Sequence, residues 1–153
     1  MALKNYTSTV PANLSISLIE AKLAANGATK ILKEYSEDGK VESIAFTKQI
    51  NGLEIPFKLP ARIEKCQTIL KSFVKKPRAD TLKRIEQQAQ RTAWKIIYDW
   101  VDVQMSLIEL AQAEFMQVFL PYVYDYSKEQ TYFEKLKARG YQKLLQGAGE
   151  QHG

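Results

Sequence analysis

The chain has 153 residues, 45% of them hydrophobic and 25% charged, with a formal net charge of +5. That balance fits one α+β domain and excludes a collagen-like repeat, a disordered low-complexity chain and a disulfide scaffold. The single cysteine, Cys66, excludes an intramolecular disulfide and a four-cysteine zinc site, and fits a reducing cytoplasm.

Residues 1–13 read as an extended arm. They contain Pro11 and several polar residues in place of a long apolar run, so they do not read as a signal peptide. Ser17 and Glu20 have capping-box spacing, which predicts a helix starting near Ser17, with Ile19, Leu23 and Ala24 as its apolar face. Asn26-Gly27 supplies its stop, because glycine takes a left-handed cap at little cost. Three strands follow, over 29–35, 41–49 and 53–59. Asp38-Gly39 and Asn51-Gly52 are expected to join them as two-residue primed turns. In the third strand Leu53, Ile55, Phe57 and Leu59 alternate with Glu54, Pro56 and Lys58, which predicts one buried and one wet face. Pro56 cannot donate to a ladder and points to an edge strand.

A second helix is predicted from about Ala61 to Val74, with Ile63, Cys66, Leu70 and Phe73 on one side. After Lys75-Lys76-Pro77-Arg78, Asp80 or Thr81 can cap a long helix that meets no breaker before Pro121. It carries two apolar rows. Leu82, Ala89, Ile96, Val103 and Leu110 form one, and Ile97, Val101, Ile108 and Phe115 the other. Two rows imply burial between two layers, either inside one chain or against a second copy. A turn over 121–126 and a short helix over 128–137 complete the fold. Residues 14–145 should therefore form a single unit, with an αβββα part over 14–76 and a helical part over 79–145. The Gly-rich residues 146–153 read as a disordered tail. No run of about 18 apolar residues offers a membrane span.

The residue types that carry catalysis are poorly placed. The only histidine, His152, lies in the tail, and Cys66 sits on the apolar side of its helix. No phosphate-binding glycine loop occurs. Asp99, Asp102 and Glu109 share a helix face and read as a solvated acidic stripe rather than a metal site. A non-enzymatic protein without cofactor or metal is the expectation.

Charge is the informative feature. Residues 61–98 hold ten lysines and arginines against three carboxylates, whereas residues 99–126 hold no cation and five carboxylates. Arg84, Gln88, Arg91 and Lys95 fall on one face of the long helix, Lys83 lies beside them, and Lys75, Lys76 and Arg78 precede them. With the positive end of the helix dipole, these groups form a candidate phosphate or nucleic-acid site. Trp94 and Tyr98 are candidate stacking rings. The competing reading is a solvated basic face.

Two stretches carry a resemblance. One runs from Gly27-Ala-Thr-Lys-Ile-Leu-Lys-Glu-Tyr35 through Asp38-Gly39 to Ala45-Phe46. The other runs from Gln88-Ala-Gln-Arg-Thr-Ala-Trp-Lys95 through Asp99-Trp-Val-Asp102 to Phe119-Leu-Pro-Tyr122. Together they resemble small uncharacterised proteins of bacteriophages, prophages and other bacterial mobile elements. The resemblance implies such an origin and carries over no catalytic residue. The helix–three strands–helix order is also similar to a double-stranded-RNA-binding domain. Leu59-Pro60-Ala61-Arg62-Ile63, however, stands where that family's second helix opens with basic residues. A fold-level likeness of this kind does not fix function.

The leading expectation is a phage or mobile-element protein of the bacterial cytoplasm that engages nucleic acid, of unspecified type, or another phosphate-bearing ligand. A second is a counter-defence or regulatory protein that binds a host protein or sequesters a nucleotide signal. A third is a structural module that forms a homo-oligomer through the two-rowed helix.

Overall fold

The computed structural model describes residues 3–142 and 144–145. The chain is α+β, in the order α1 (Ala12–Ala25), β1 (Ala28–Tyr35), β2 (Val41–Ile50), β3 (Leu53–Pro60), α2 (Ile63–Lys71), α3 (Ala79–Glu109) and α4 (Phe115–Phe119). A 3-10 turn over Leu120–Tyr122, a two-stranded ribbon of β4 (Tyr124–Asp125) and β5 (Gln130–Thr131), and α5 (Tyr132–Ala138) follow. The predicted tail at 146–153 lies outside the described residues.

The main sheet is an antiparallel meander in the order β1-β2-β3. Its pleat places Ile44 and Phe46 of β2 beside Phe57 and Leu59 of β3 on the inner face, all fully buried. The outer face is covered differently. Ala45 and Ser43 are buried there beneath a bridge from Lys58 to Glu34, 3.0 Å long, which joins β3 to β1 across them. Pro56 lies in β3, an edge strand of this sheet as its missing N–H required.

Helix α3 is the central element. Trp94, Val101 and Met105 enter the main core with Ile16, Ile19 and Leu23 of α1 and the inner face of the sheet. Trp94 also donates from Nε1 to the Val41 carbonyl at 3.2 Å, tying α3 to the start of β2. Ala89 and Ala93 meet Cys66 and Leu70 of α2 in a second cluster. Phe119 closes the main core and packs edge-on against Trp100 at 5.4 Å. The second apolar row, with Ile97, Val101 and Ile108, thus finds its partners within the chain, whereas the first does so at Ala89 and leaves Val103 and Leu110 in solvent at 54% and 70% exposure. No helix among the described residues is long and apolar enough to cross a membrane.

Several expectations need correction. The arm is not extended throughout. Residues 4–7 form a turn, with Asn5 at φ 61 and the Ser8 N–H donating to the Asn5 carbonyl at 3.0 Å. Helix α1 begins at Ala12, so Ser17 lies inside it and cannot cap it. Pro11 occupies the cap position, and its carbonyl accepts from the N–H groups of Leu14 and Ser15. Asn51 and Gly52 form the primed turn as read, at φ 53 and 81. Around Asp38-Gly39 only Gly39 has positive φ. The connection spans Ser36–Lys40, with the Ser36 N–H on the Lys40 carbonyl at 2.7 Å. Such a longer loop places a left-handed glycine after an ordinary turn. Helix α2 ends at Lys71, so Phe73 leaves the apolar side.

Helix α3 stops eleven residues before Pro121 at its Leu110 cap. Ala111 takes φ 59, and the Gln112 N–H donates to the Leu107 carbonyl at 3.0 Å, which satisfies the freed helix end. A capping box between Glu114 and Gln117 then starts α4. The last helix begins at Tyr132 rather than Lys128, under a second capping box between Thr131 and Glu134.

Candidate nucleic-acid interface

The basic segment divides into two parts with different surroundings. The first is the corner where α2 turns into α3. Helix α2 ends at Lys71 with Ser72 as its C-cap, and Lys76, at φ 49, reverses the chain toward Pro77. Arg78 occupies the N-cap position of α3 in an extended conformation and offers no side-chain cap. The first amides of this 31-residue helix therefore face outward beside the cations, at the positive end of its dipole.

Lys75, Lys76, Arg78, Lys83 and Arg84 are all exposed. Between residues 65 and 85 there are seven lysines and arginines and one carboxylate, Asp80. Asp80 pairs with Arg84 at 3.4 Å, with both side chains 73% exposed. An ion pair that open contributes little. Lys71, Lys75, Lys76, Arg78 and Lys83 have no carboxylate partner among the described residues. Phe73 stands among them, 56% exposed, and Val74 adjoins it. The sequence pattern had assigned Phe73 to the core because it continues the spacing of Ile63, Cys66 and Leu70. The missing signal is the end of the helix, which moves the ring from an apolar stripe into a cationic corner.

The second part is the stretch of α3 that carries Gln88, Arg91 and Lys95. These side chains are engaged by the chain itself. Gln88 donates from Nε2 to the Ser8 carbonyl and to Thr92 Oγ1, both at 3.0 Å. Arg91 donates from Nε to the Ser8 carbonyl at 3.2 Å and from Nη2 to Gln88 Oε1 at 2.6 Å. Thr92 Oγ1 donates to the Asn5 carbonyl at 2.9 Å. Lys95 donates to Asp99 Oδ1 at 2.8 Å, and Asn5 Nδ2 donates to Asp99 Oδ2 at 2.9 Å. Partial burial pushes the Asp99 carboxyl up. The hydrogen bonds from Lys95 and Asn5 and the charges of Lys95 and Lys4 outweigh it and hold the group below its ordinary value of 3.8. This stretch docks the N-terminal arm and is only partly free to meet a ligand.

The aromatic assignments change accordingly. Trp94 is fully buried and hydrogen-bonded to β2, so it cannot stack on a base. Tyr98 is half-buried, with Lys95 Nζ 5.0 Å from its ring centroid. Two carboxylates of the acidic stripe are paired within the chain, Asp99 with Lys95 and Asp102 with Lys22 at 2.9 Å. Burial raises the Cys66 thiol above its ordinary value, which suits a core residue and not a nucleophile.

No family model, curated protein or solved structure matches the chain.

Proposed function

We propose that the protein binds nucleic acid through the α2–α3 corner. The reading rests on one observation. Five cations with no carboxylate partner among the described residues share the segment from Lys71 to Lys83 with an exposed aromatic ring, Phe73, at the open N-terminus of the longest helix. A phosphate backbone needs cations not already committed to carboxylates, and unpaired bases need a ring to stack on. The corner has both, whereas the Gln88–Lys95 face has already used much of its donor capacity. The origin in a phage or mobile element, the bacterial cytoplasm and the non-enzymatic role belong to this same proposal.

The test is fluorescence anisotropy with labelled single- and double-stranded oligonucleotides at several salt concentrations. Affinity should fall linearly on a logarithmic salt scale, because each neutralised phosphate releases counterions. Replacing Lys75, Lys76 and Arg78 by serine should flatten that slope by about 2–3 and weaken binding at least about tenfold. Retained affinity with an unaltered slope would refute the corner as the site.

A further inference from the structure

A cleft of about 850 Å³ opens between the start of α1, the β1–β2 hairpin and the third and fourth turns of α3. Its size is that of a small-molecule site. Among the described residues three cations, Lys33, Lys40 and Arg91, line it, and no carboxylate does. Lys33 is neutralised from behind by Glu20 at 3.0 Å. Lys40 reaches Asp38 and Glu86 only at 4.0 Å, so its charge is loosely held. Arg91 has no carboxylate partner among the described residues. Its two bonds, to the Ser8 carbonyl and to Gln88, fix the plane of the guanidinium and leave three of its five N–H groups unused. The same contacts that dock the arm therefore orient an arginine fork on the cleft wall.

The rest of the lining is suited to a planar polar body. Tyr35, at the end of β1, is 57% exposed and forms one wall. Gln87 and Gln90 of α3 and Asn13 of α1 supply neutral donors and acceptors. Ile16 and Val41, with Pro11 and Ala12, are the apolar lining. An oriented guanidinium and a loosely held ammonium suit a phosphate, and an open phenol ring with side-chain amides suits a heterocyclic base.

We infer that this cleft binds a phosphorylated nucleoside, with Arg91 and Lys40 on the phosphate and Tyr35 against the base. The site is distinct from the α2–α3 corner and does not depend on the corner binding nucleic acid. Its ligand has two sources with the same chemistry, a free mononucleotide or the phosphorylated end of a strand.

The experiment is an amide-resolved NMR titration of the full chain. The probes are adenosine monophosphate, adenosine, inorganic phosphate, and one short oligonucleotide with and without a terminal phosphate. Adenosine monophosphate should shift residues 35, 40, 87, 90 and 91, and bind at least about tenfold more tightly than adenosine or phosphate alone. Lys40→Gln and Tyr35→Ser, both on the solvent-facing hairpin, should each weaken it several-fold while the spectrum stays folded. Tighter binding of the phosphorylated oligonucleotide at the same residues would identify a strand end as the source, and equal or weaker binding a free nucleotide. Absence of shifts in the cleft with up to about 5 mM adenosine monophosphate would overturn the proposal. So would shifts that both variants leave unchanged.

Discussion

Two side chains with opposite burdens are informative at the residue scale. Ser15 is fully buried on α1, and its hydroxyl has no hydrogen-bond partner among the described residues. An unsatisfied buried hydroxyl is destabilising, and alanine removes it with almost no change in shape. Ser15→Ala should therefore raise stability by about 1 kcal/mol, read as a higher urea midpoint at unchanged slope. Asp99 works the other way. Its folded pKa lies below the ordinary value, so its contribution is complete above that value and is lost as pH falls through the folded one. Asp99→Asn should lower the unfolding temperature near neutral pH and leave it unchanged in strong acid, where the wild-type carboxyl is protonated. An equal deficit at both extremes would mean that the charge on Asp99 does not hold the arm. Neither role was legible in the sequence, where Ser15 resembles any helix serine and Asp99 one member of an acidic stripe. The first depends on what the fold packs over α1, and the second on Asn5, far along the chain.

Elements were readable where a local rule and the tertiary packing agree. Alternation in β3 from Ile55 to Leu59, the Asn51-Gly52 turn and the Gly27 stop held, because each depends only on backbone chemistry within a few residues, whereas Leu53 at the start of the strand is 66% exposed and not on a buried face. Limits of α3 were less legible at its far end. Ala111 adopts a left-handed conformation that alanine disfavours, so no glycine or proline announces the break. The cost is offset where Phe115 and Phe119 stack at 4.4 Å and pack edge-on against Phe46 and Phe57. Ala111→Gly should then stabilise the protein by about 0.5–1 kcal/mol, measured by chemical denaturation, since glycine takes this conformation without the Cβ penalty. A destabilised variant would show that the chain is not held left-handed there. The arm has the same lesson. Its turn at Asn5 and its docking on α3 are set by Gln88, Arg91 and Thr92, eighty or more residues away.

Over the whole molecule, the charge asymmetry becomes a division of labour along α3. Its first turns and the preceding corner carry uncommitted cations. Its middle turns use Gln88 and part of the Arg91 fork to hold the arm, and pair Lys95 with Asp99. Its later turns pack against α1, the sheet and α4. Composition showed where the positive charge lies in the chain, but not which charges are spent, because that depends on which carbonyls and carboxylates the fold brings alongside. The candidate site therefore contracts to the corner and gains Phe73, while Trp94 moves to the core. Amide-resolved mapping of an oligonucleotide complex tests this most directly. The expected result is a set of shifts centred on residues 71–84, including Phe73, that collapses as salt is raised. Shifts centred on residues 88–95 with the arm released, or no shifts at low salt, would contradict it.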